Sequence, residues 1–437
     1  MFACPNCGGN LKFDIPSQQL GCEFCQTLVD PYAFESKETD AVEIKEYDAT
    51  IFTCPQCGGE ILSTDTSAAE FCTFCGASTI LFSRISKEKR PEYILPFTKT
   101  KEDCKNAYSD LMKRAIFAPD ALKDPKRIDG FRGIYMPYWT FHLTQKGPFS
   151  LQGSRSRRRG DFVYTDHYAL QGEIDADYNG LSYDASSSFD DEISEKLAPF
   201  NTKKMQPFSP AFLSGFYADT ADVSSDTYQA DAENIAYNHS IKKVYHSFPD
   251  ISITTTSNSI IPTKVEAVER TMFPVWFMSY RNGDRVAYAT VNGQTGRVVS
   301  DLPIDSKKYV MGSLILAVPI FILLNLFFTI TPNTLLMISA FLGILSILTI
   351  SIEKGKLKQK DDLPEQKGFS QIFAVIAIIL DFLLLFLNPI QDFPYYIGVI
   401  ITLLTTFLLI KEIIKYYNRL TTRPLPQFNR TGGDDRA

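Results

Sequence analysis

Four long apolar runs dominate the last third of the chain, at 309–331, 335–352, 369–387 and 393–410. Each holds 18 to 23 residues, enough for a helix to cross a hydrocarbon core of about 30 Å. They predict four transmembrane helices. Pro332-Asn333 and Asn388-Pro389 mark tight turns, so the helices are expected to pair as two hairpins within one bundle.

Upstream the patterns are shorter and mixed. Lys101 to Phe117 carries Cys104, Ala107, Tyr108, Leu111, Met112, Ala115 and Ile116 at helical spacing, with Pro119 just beyond. Cys104 falls on the apolar face and is expected in the core, not as a nucleophile. Gly133–Leu143 reads as a buried aromatic strand, and 161–184 alternates like the strands of a hairpin. Asp190–Leu197 predicts a short helix and Thr220–Asn238 a longer one. Met272–Tyr280 is a second aromatic strand. Asn282-Gly283-Asp284 and Asn292-Gly293 then divide a β-meander over Val275–Val299. The only two tryptophans, Trp139 and Trp276, each follow a Pro-x pair in an aromatic strand (MPYWTF and FPVWFM), a weak internal echo.

The strongest chemical signal lies near the N-terminus. Eight of the nine cysteines form four C-x-x-C pairs: Cys4, Cys7, Cys22 and Cys25, repeated 50 positions later as Cys54, Cys57, Cys72 and Cys75. Phe2/Phe52, Pro5/Pro55, Gly8/Gly58, Gly9/Gly59 and Phe24/Phe74 recur with them. Four thiolates suit a tetrahedral structural Zn²⁺, and a site filled by four cysteines leaves no open position for catalysis. Modules this small need the metal to fold. Two structural zinc ions are therefore expected. A thioredoxin-like pair would need a βαβ setting, which is not visible, and iron–sulfur spacing groups its cysteines more closely. The opening Met-Phe-Ala-Cys has neither a basic nor an apolar stretch, so no secretory signal is expected and the thiols are expected to stay reduced.

Charge sets the expected topology. Residues 1–308 hold 33 Lys+Arg against 41 Asp+Glu, and residues 309–437 hold 11 against 9. Lys307 and Lys308 precede the first run. Lys354, Lys356, Lys358, Lys360 and Lys367 follow the second, and Lys411, Lys415, Arg419 and Arg423 follow the fourth. The other two turns have no Lys or Arg. The positive-inside rule then places both termini in the cytosol of a cell whose inner membrane the helices cross. Residues 1–80 carry three Lys/Arg and twelve Asp/Glu, which weighs against phosphate binding and hence against a membrane-tethered nucleic-acid-binding protein. The basic run Arg155-Ser156-Arg157-Arg158-Arg159 is read first as a solvated hairpin end, and otherwise as a patch for anionic headgroups. The four histidines have neither metal nor triad spacing, and no Walker, HExxH or GxSxG motif occurs. No catalytic residue is proposed. Asp381 and Asn325 lie inside apolar runs. A lone intramembrane Asp suggests a small transporter or channel, but an interhelical hydrogen bond is the preferred reading.

With CPNCGG…CEFC, CPQCGG…CTFC, YILPFTKTKEDC, GIYMPYWTF, LSGFYAD and FPVWF…VNGQTGRVV in view, the chain resembles a family of bacterial membrane proteins with a transcription-factor-IIB-type (TFIIB-type) zinc ribbon. The resemblance covers residues 1 to 310 and continues into the apolar runs. It implies that the eight cysteines are zinc ligands, and that the partners are cytosolic or membrane-associated proteins, including membrane-stress scaffolds of SPFH or phage-shock type. Some family members carry primosomal or replication-factor labels, but helicase ATPase motifs are absent here. The expected architecture is multidomain. It comprises two small β zinc ribbons (1–30 and 51–86) joined by an acidic linker (31–50), and an α+β cytosolic domain (87–306). A C-terminal bundle of four transmembrane α-helices (307–415) and a disordered cytosolic tail (416–437) follow. The expected function is a cytosol-facing adaptor or scaffold on the lipid bilayer.

Overall fold

The structure, a computed structural model, describes residues 2–34, 46–63, 72–77, 82–254, 261–327, 331–360 and 369–428. Most of the expected linker, Lys367, the Asn325 side chain and residues 429–437 lie outside the described residues.

Leu11–Asp14 (β1), Gln19–Cys22 (β2) and Leu28–Val29 (β3) form a three-stranded antiparallel sheet. Period-two burial puts Leu11, Phe13, Leu20 and Cys22 on its inner face. Glu46–Thr53 (β4), Glu60–Ser63 (β5) and Phe82–Lys89 (β6) form a second antiparallel set with β4 in the middle. The chain continues through Tyr93–Ile94 (β7), Lys101–Arg114 (α1), Pro125–Ile128 (α2), Arg132–Arg159 (β8), Phe162–Asp184 (β9) and Asp191–Leu197 (α3). Next come Gln206–Pro207 (β10), Tyr217–Ala218 (β11), Asp226–Ser247 (α4), Ser252–Thr254 (β12), Lys264–Asn282 (β13), Arg285–Asn292 (β14) and Val298–Ser300 (β15).

One sheet joins most of these strands, in the order β10-β7-β13-β8-β11-β5-β4-β6. The second cysteine module is therefore part of the main sheet, because β11 pairs antiparallel with β5 and parallel with β8. The first module reaches the same segment: Phe13 N–H donates to the Ser214 carbonyl (3.0 Å) and Ser214 Oγ to the Leu11 carbonyl (2.5 Å). The hairpins of both modules thus grip LSGFYAD from either end.

Helix α1 follows its predicted stripe. Thr100 and Asp103 form a capping box, and Cys104, Tyr108 and Met112 are buried at i, i+4, i+8. They pack with Phe97, Phe131, Tyr135, Phe212 and Trp276 on one face of the sheet, together with Leu11, Phe13 and Leu20 of the first module. Ile134, Met136, Tyr138, Phe273, Val275 and Phe277 point to the other face, covered by α3 through Ile193 and Leu197. The two Pro-x-Trp strands are antiparallel neighbours: Met136 faces Phe273, Pro137 faces Met272 and Tyr135 faces Pro274, so the echoing motifs pair about a local dyad.

Two expected elements are displaced. The helix predicted over 220–238 occupies Asp226–Ser247. Other bonds hold its predicted first turn out of the helix: Asp222 and Val223 donate to the Ala185 carbonyl (3.0 Å each), and the Val223 carbonyl accepts from Trp139 Nε1 (2.8 Å). The aromatic strand predicted at 133–143 continues to Arg159 as half of a long hairpin with β9, closed at Gly160 (φ 63°). Arg155, Arg157, Arg158 and Arg159 stand exposed near its end, with Phe162, Val163 and Tyr164 opposite.

Four helices are long and apolar enough to cross a membrane: Ser306–Phe327 (α5), Pro332–Gln359 (α6), Ser370–Leu387 (α7) and Phe393–Leu420 (α8). Of the four helices expected to form one bundle, α6, α7 and α8 pack on one another, and among the described residues α5 makes no comparable contact with them. Helices α6, α7 and α8 meet through small residues: Gly343 against Ile378 and Thr402, and Gly398 against Leu336 and Leu384. Thr402 Oγ1 donates to Asp381 Oδ2 (2.6 Å) between α7 and α8. In α5 no residue of Ser306–Leu323 is buried. Its glycine, Gly312, is already taken up by Phe117 of the soluble body.

The tail is also corrected. It does not leave the body disordered at 416. Helix α8 runs to Leu420, and Arg423–Pro424 (β16) pairs with β14. Arg423 makes ion pairs with Asp190 (2.7 Å) and Asp301, and its guanidinium lies over Tyr288. Arg285 donates to the Arg419 and Thr422 carbonyls.

Candidate metal centres

The eight predicted ligands gather into two groups. In each, all four Sγ atoms lie within 4.8 Å of one another. Four knuckles bring them there with one shared geometry. The first cysteine of each pair donates N–H to a carbonyl five residues on and accepts from the N–H four residues on. The pairs are Gly9/Gly8 for Cys4, Thr27/Gln26 for Cys22, Gly59/Gly58 for Cys54 and Ala77/Gly76 for Cys72. The donor at the fourth position is left-handed each time: Gly8 (φ 72°), Gln26 (φ 58°), Gly58 (φ 76°) and Gly76 (φ 69°). This geometry is why glycine recurs after the second cysteine.

All nine cysteines are free thiols. Cys54 and Cys75 lie 3.8 Å apart and Cys57 and Cys72 3.7 Å apart; in the first group Cys4–Cys25 is 3.5 Å and Cys7–Cys22 is 3.4 Å. A tetrahedron with thiolate arms of about 2.3 Å has edges of about 3.8 Å, so both donor sets fit one metal ion and are far too open for sulfur–sulfur bonds. Proton sharing among crowded sulfurs lowers Cys54, through Cys57 and Cys72, and raises Cys72, through Cys54 and Cys57. A metal ion bound there would take the place of those protons. Thr27 holds the Cys25 thiol down to about 6, first through its hydroxyl and then through its amide.

The two centres differ in cover. All four cysteines of the second are buried, whereas Cys7 is exposed and Cys25 half-buried in the first. Phe74 is 1% exposed, and Phe24, at the same place in the motif, 78%. Phe74 packs edge-on to Phe277 and Phe428, and its carbonyl accepts from Tyr288 Oη (2.9 Å). The Phe428 N–H donates to the Cys57 carbonyl (2.7 Å), and Leu425 joins the same apolar cluster. Matching spacing picked out all eight clustered cysteines but not this cover, because Leu425 and Phe428 lie some 350 residues away with no local signal. Cys104 stays apart, buried on α1, and burial raises its thiol. Asp381 is buried at the α7–α8 contact, as preferred, and Arg155–Arg159 form no cluster with the cysteines.

No family model matches the chain, and no solved structure matches it. A relative from Bacillus subtilis (strain 168), the uncharacterized protein YdjG, is 32% identical over 311 residues, covering 70% of this chain and 91% of the relative. The chain belongs to the family of that Bacillus protein.

Proposed function

We propose that this protein is a membrane-anchored adaptor or scaffold whose two tandem zinc ribbons, each holding one structural Zn²⁺, present a cytosolic surface to protein partners at a bacterial inner membrane. The observation that carries the reading is the fixed junction between the soluble body and the apolar helices. Asn418, near the end of α8, exchanges two hydrogen bonds with Ile304, just before α5 (2.7 and 2.8 Å). Lys308 donates to the Ala118 carbonyl (2.9 Å) and pairs with Asp120; Lys360, just past α6, pairs with Glu192 of α3 (2.8 Å). These contacts lie at one end of the helices, where the lysines of the positive-inside argument also cluster. In this reading the helices cross the bilayer, both termini are cytosolic and the ribbons sit at a set position beside the lipid. The twelve acidic against three basic residues of positions 1–80 favour protein over nucleic acid. The resemblance to ribbon-bearing membrane proteins adds SPFH- and phage-shock-type scaffolds as the partner class.

Proximity labelling in the native membrane tests this, comparing the wild-type chain with Cys7→Ser/Cys25→Ser. The expected result is a set of labelled proteins that disappears in the variant while the protein stays in the membrane. An unchanged set would remove the adaptor reading.

A further inference from the structure

The two cysteine modules place the same ring in the same local position but cover it differently. A Cβ on Gly59 would stand 2.7 Å from the Phe74 ring, and one on Gly9 2.5 Å from the Phe24 ring. In the second module a third wall is present. Phe428 lies 3.2 Å from that Gly59 position, its ring centroid is 5.6 Å from Phe74, and its N–H bonds the Cys57 carbonyl. The chain's own segment Arg423-Pro-Leu-Pro-Gln-Phe428 thus lies along the second knuckle, and Leu425 N–H is fixed on the Asp284 carbonyl (3.1 Å). In the first module the corresponding walls are Gly9, Phe24 and Cys7, the counterpart of Cys57. There Phe24 and Cys7 are exposed, and no ring pair of Phe24 with another described residue occurs.

We propose that the Phe24–Gly9–Cys7 face of the first ribbon is a docking site for an extended segment of a partner protein. That segment carries a phenylalanine preceded by proline and flanked by basic residues. The second ribbon supplies the template: a ring against the knuckle phenylalanine and a backbone N–H on the cysteine carbonyl. Charge supplies the flanks. Residues 2–34 hold Lys12 against Asp14, Glu23 and Asp30; the segment on the second ribbon has Arg423 before its phenylalanine, and the sequence continues with Arg430 two residues on. The chain's own tail does not fill the site, because Arg423 is held by Asp190 and Asp301 beside the second ribbon. This inference rests on the adaptor reading and names the chemistry of its partner.

The probe is a fluorescent synthetic peptide with the sequence of residues 421–430, titrated by polarisation into the full-length protein in detergent. Saturable binding is expected. It should weaken at least tenfold for Phe24→Ser and for a peptide with alanine in place of the phenylalanine, and stay unchanged for Ile116→Ala, another exposed apolar site. Two bound metal ions in Phe24→Ser confirm that the ribbon is intact. No binding at millimolar peptide overturns the proposal. So does equal binding by Phe24→Ser, since the peptide would then be exchanging with the tail at the second ribbon. A full-length dimer that Phe24→Ser dissociates would make the occupant a second copy and overturn the assignment to a partner protein. If the peptide fails while ribbon-dependent proximity labelling persists, this site is wrong and the adaptor reading stands. The reverse pattern sinks the adaptor reading and leaves the site.

Discussion

Single positions already separate the two ribbons. A methyl group at Gly59 meets two rings in a closed apolar cluster, Phe74 at 2.7 Å and Phe428 at 3.2 Å. Gly59→Ala is therefore expected to cost about 1–3 kcal/mol, the usual range for overpacking. Gly9→Ala meets the Phe24 ring at 2.5 Å, but that ring faces solvent and can swing aside, so its loss is expected to be smaller. Thermal unfolding of the two variants checks this, and equal losses would contradict the difference in cover. A second residue-scale prediction concerns Asp184. Burial raises its carboxyl to about 7, with Asp191 adding to the rise, and among the described residues Oδ1 has no hydrogen-bond partner. The unfolded chain releases this proton near pH 4 while the folded chain keeps it to about 7. The contribution of Asp184 is thus fully present below about pH 4 and is lost as pH rises toward 7, by at most about 1.4 kcal/mol per pH unit. Asp184→Asn should gain stability relative to wild type across that window. A gain equal at pH 5 and pH 8 would show that the carboxyl is not protonated.

Elements show how far local pattern reaches. Helix α1 was legible because its stripe of Cys104, Tyr108 and Met112 keeps helical spacing up to Pro119, and the capping box found at Thr100 and Asp103 agrees with it. The two groups of four cysteines were legible because knuckle geometry is short-range. The start of α4 was not, since Asp222 and Val223 are held by Ala185 across the fold. Apolar length said nothing about partners: α5 is as apolar as a spanning helix needs to be, yet no residue of Ser306–Leu323 is buried. The tail misleads most. Residues 421–428 fall in the tail expected to be disordered, yet Arg423 reaches two carboxylates 233 and 122 positions away. These groups are half-buried, so removing Arg423 is expected to cost a fraction of the about 3–5 kcal/mol seen when a fully buried pair is broken. Arg423→Ala is therefore expected to release β16 and Phe428 together, seen as new proteolytic cleavage within 421–428 of the detergent-purified protein. Resistance equal to wild type would mean that Leu425 and Phe428 hold the segment without the ion pairs.

At the scale of the molecule, burial orders the two metal centres. A chelator removes an ion by displacing ligands one after another, so the exposure of the first sulfur it reaches sets the rate. The first centre offers Cys7 at the surface and Cys25 half-buried. The second offers none: its four sulfurs are buried with Phe74 and Phe428, and the turn that carries Cys54 and Cys57 joins β4 to β5 of the main sheet. With one ion in each, release into excess chelator should therefore occur in two phases of about one equivalent. The fast phase should shift the fluorescence of Trp276, because that indole shares its apolar cluster with Leu11, Phe13 and Leu20 of the first module. The slow phase should track unfolding of the body, since binding energy at a buried closed site is folding energy. Phe428→Ala opens the second knuckle alone and should speed the slow phase while leaving the fast one untouched. A metal-sensitive dye and tryptophan fluorescence recorded on the same sample follow both. Loss of two equivalents in a single phase, or a Phe428→Ala effect on the fast phase, would mean that the tail does not shield the second centre and that the two ribbons are equally open.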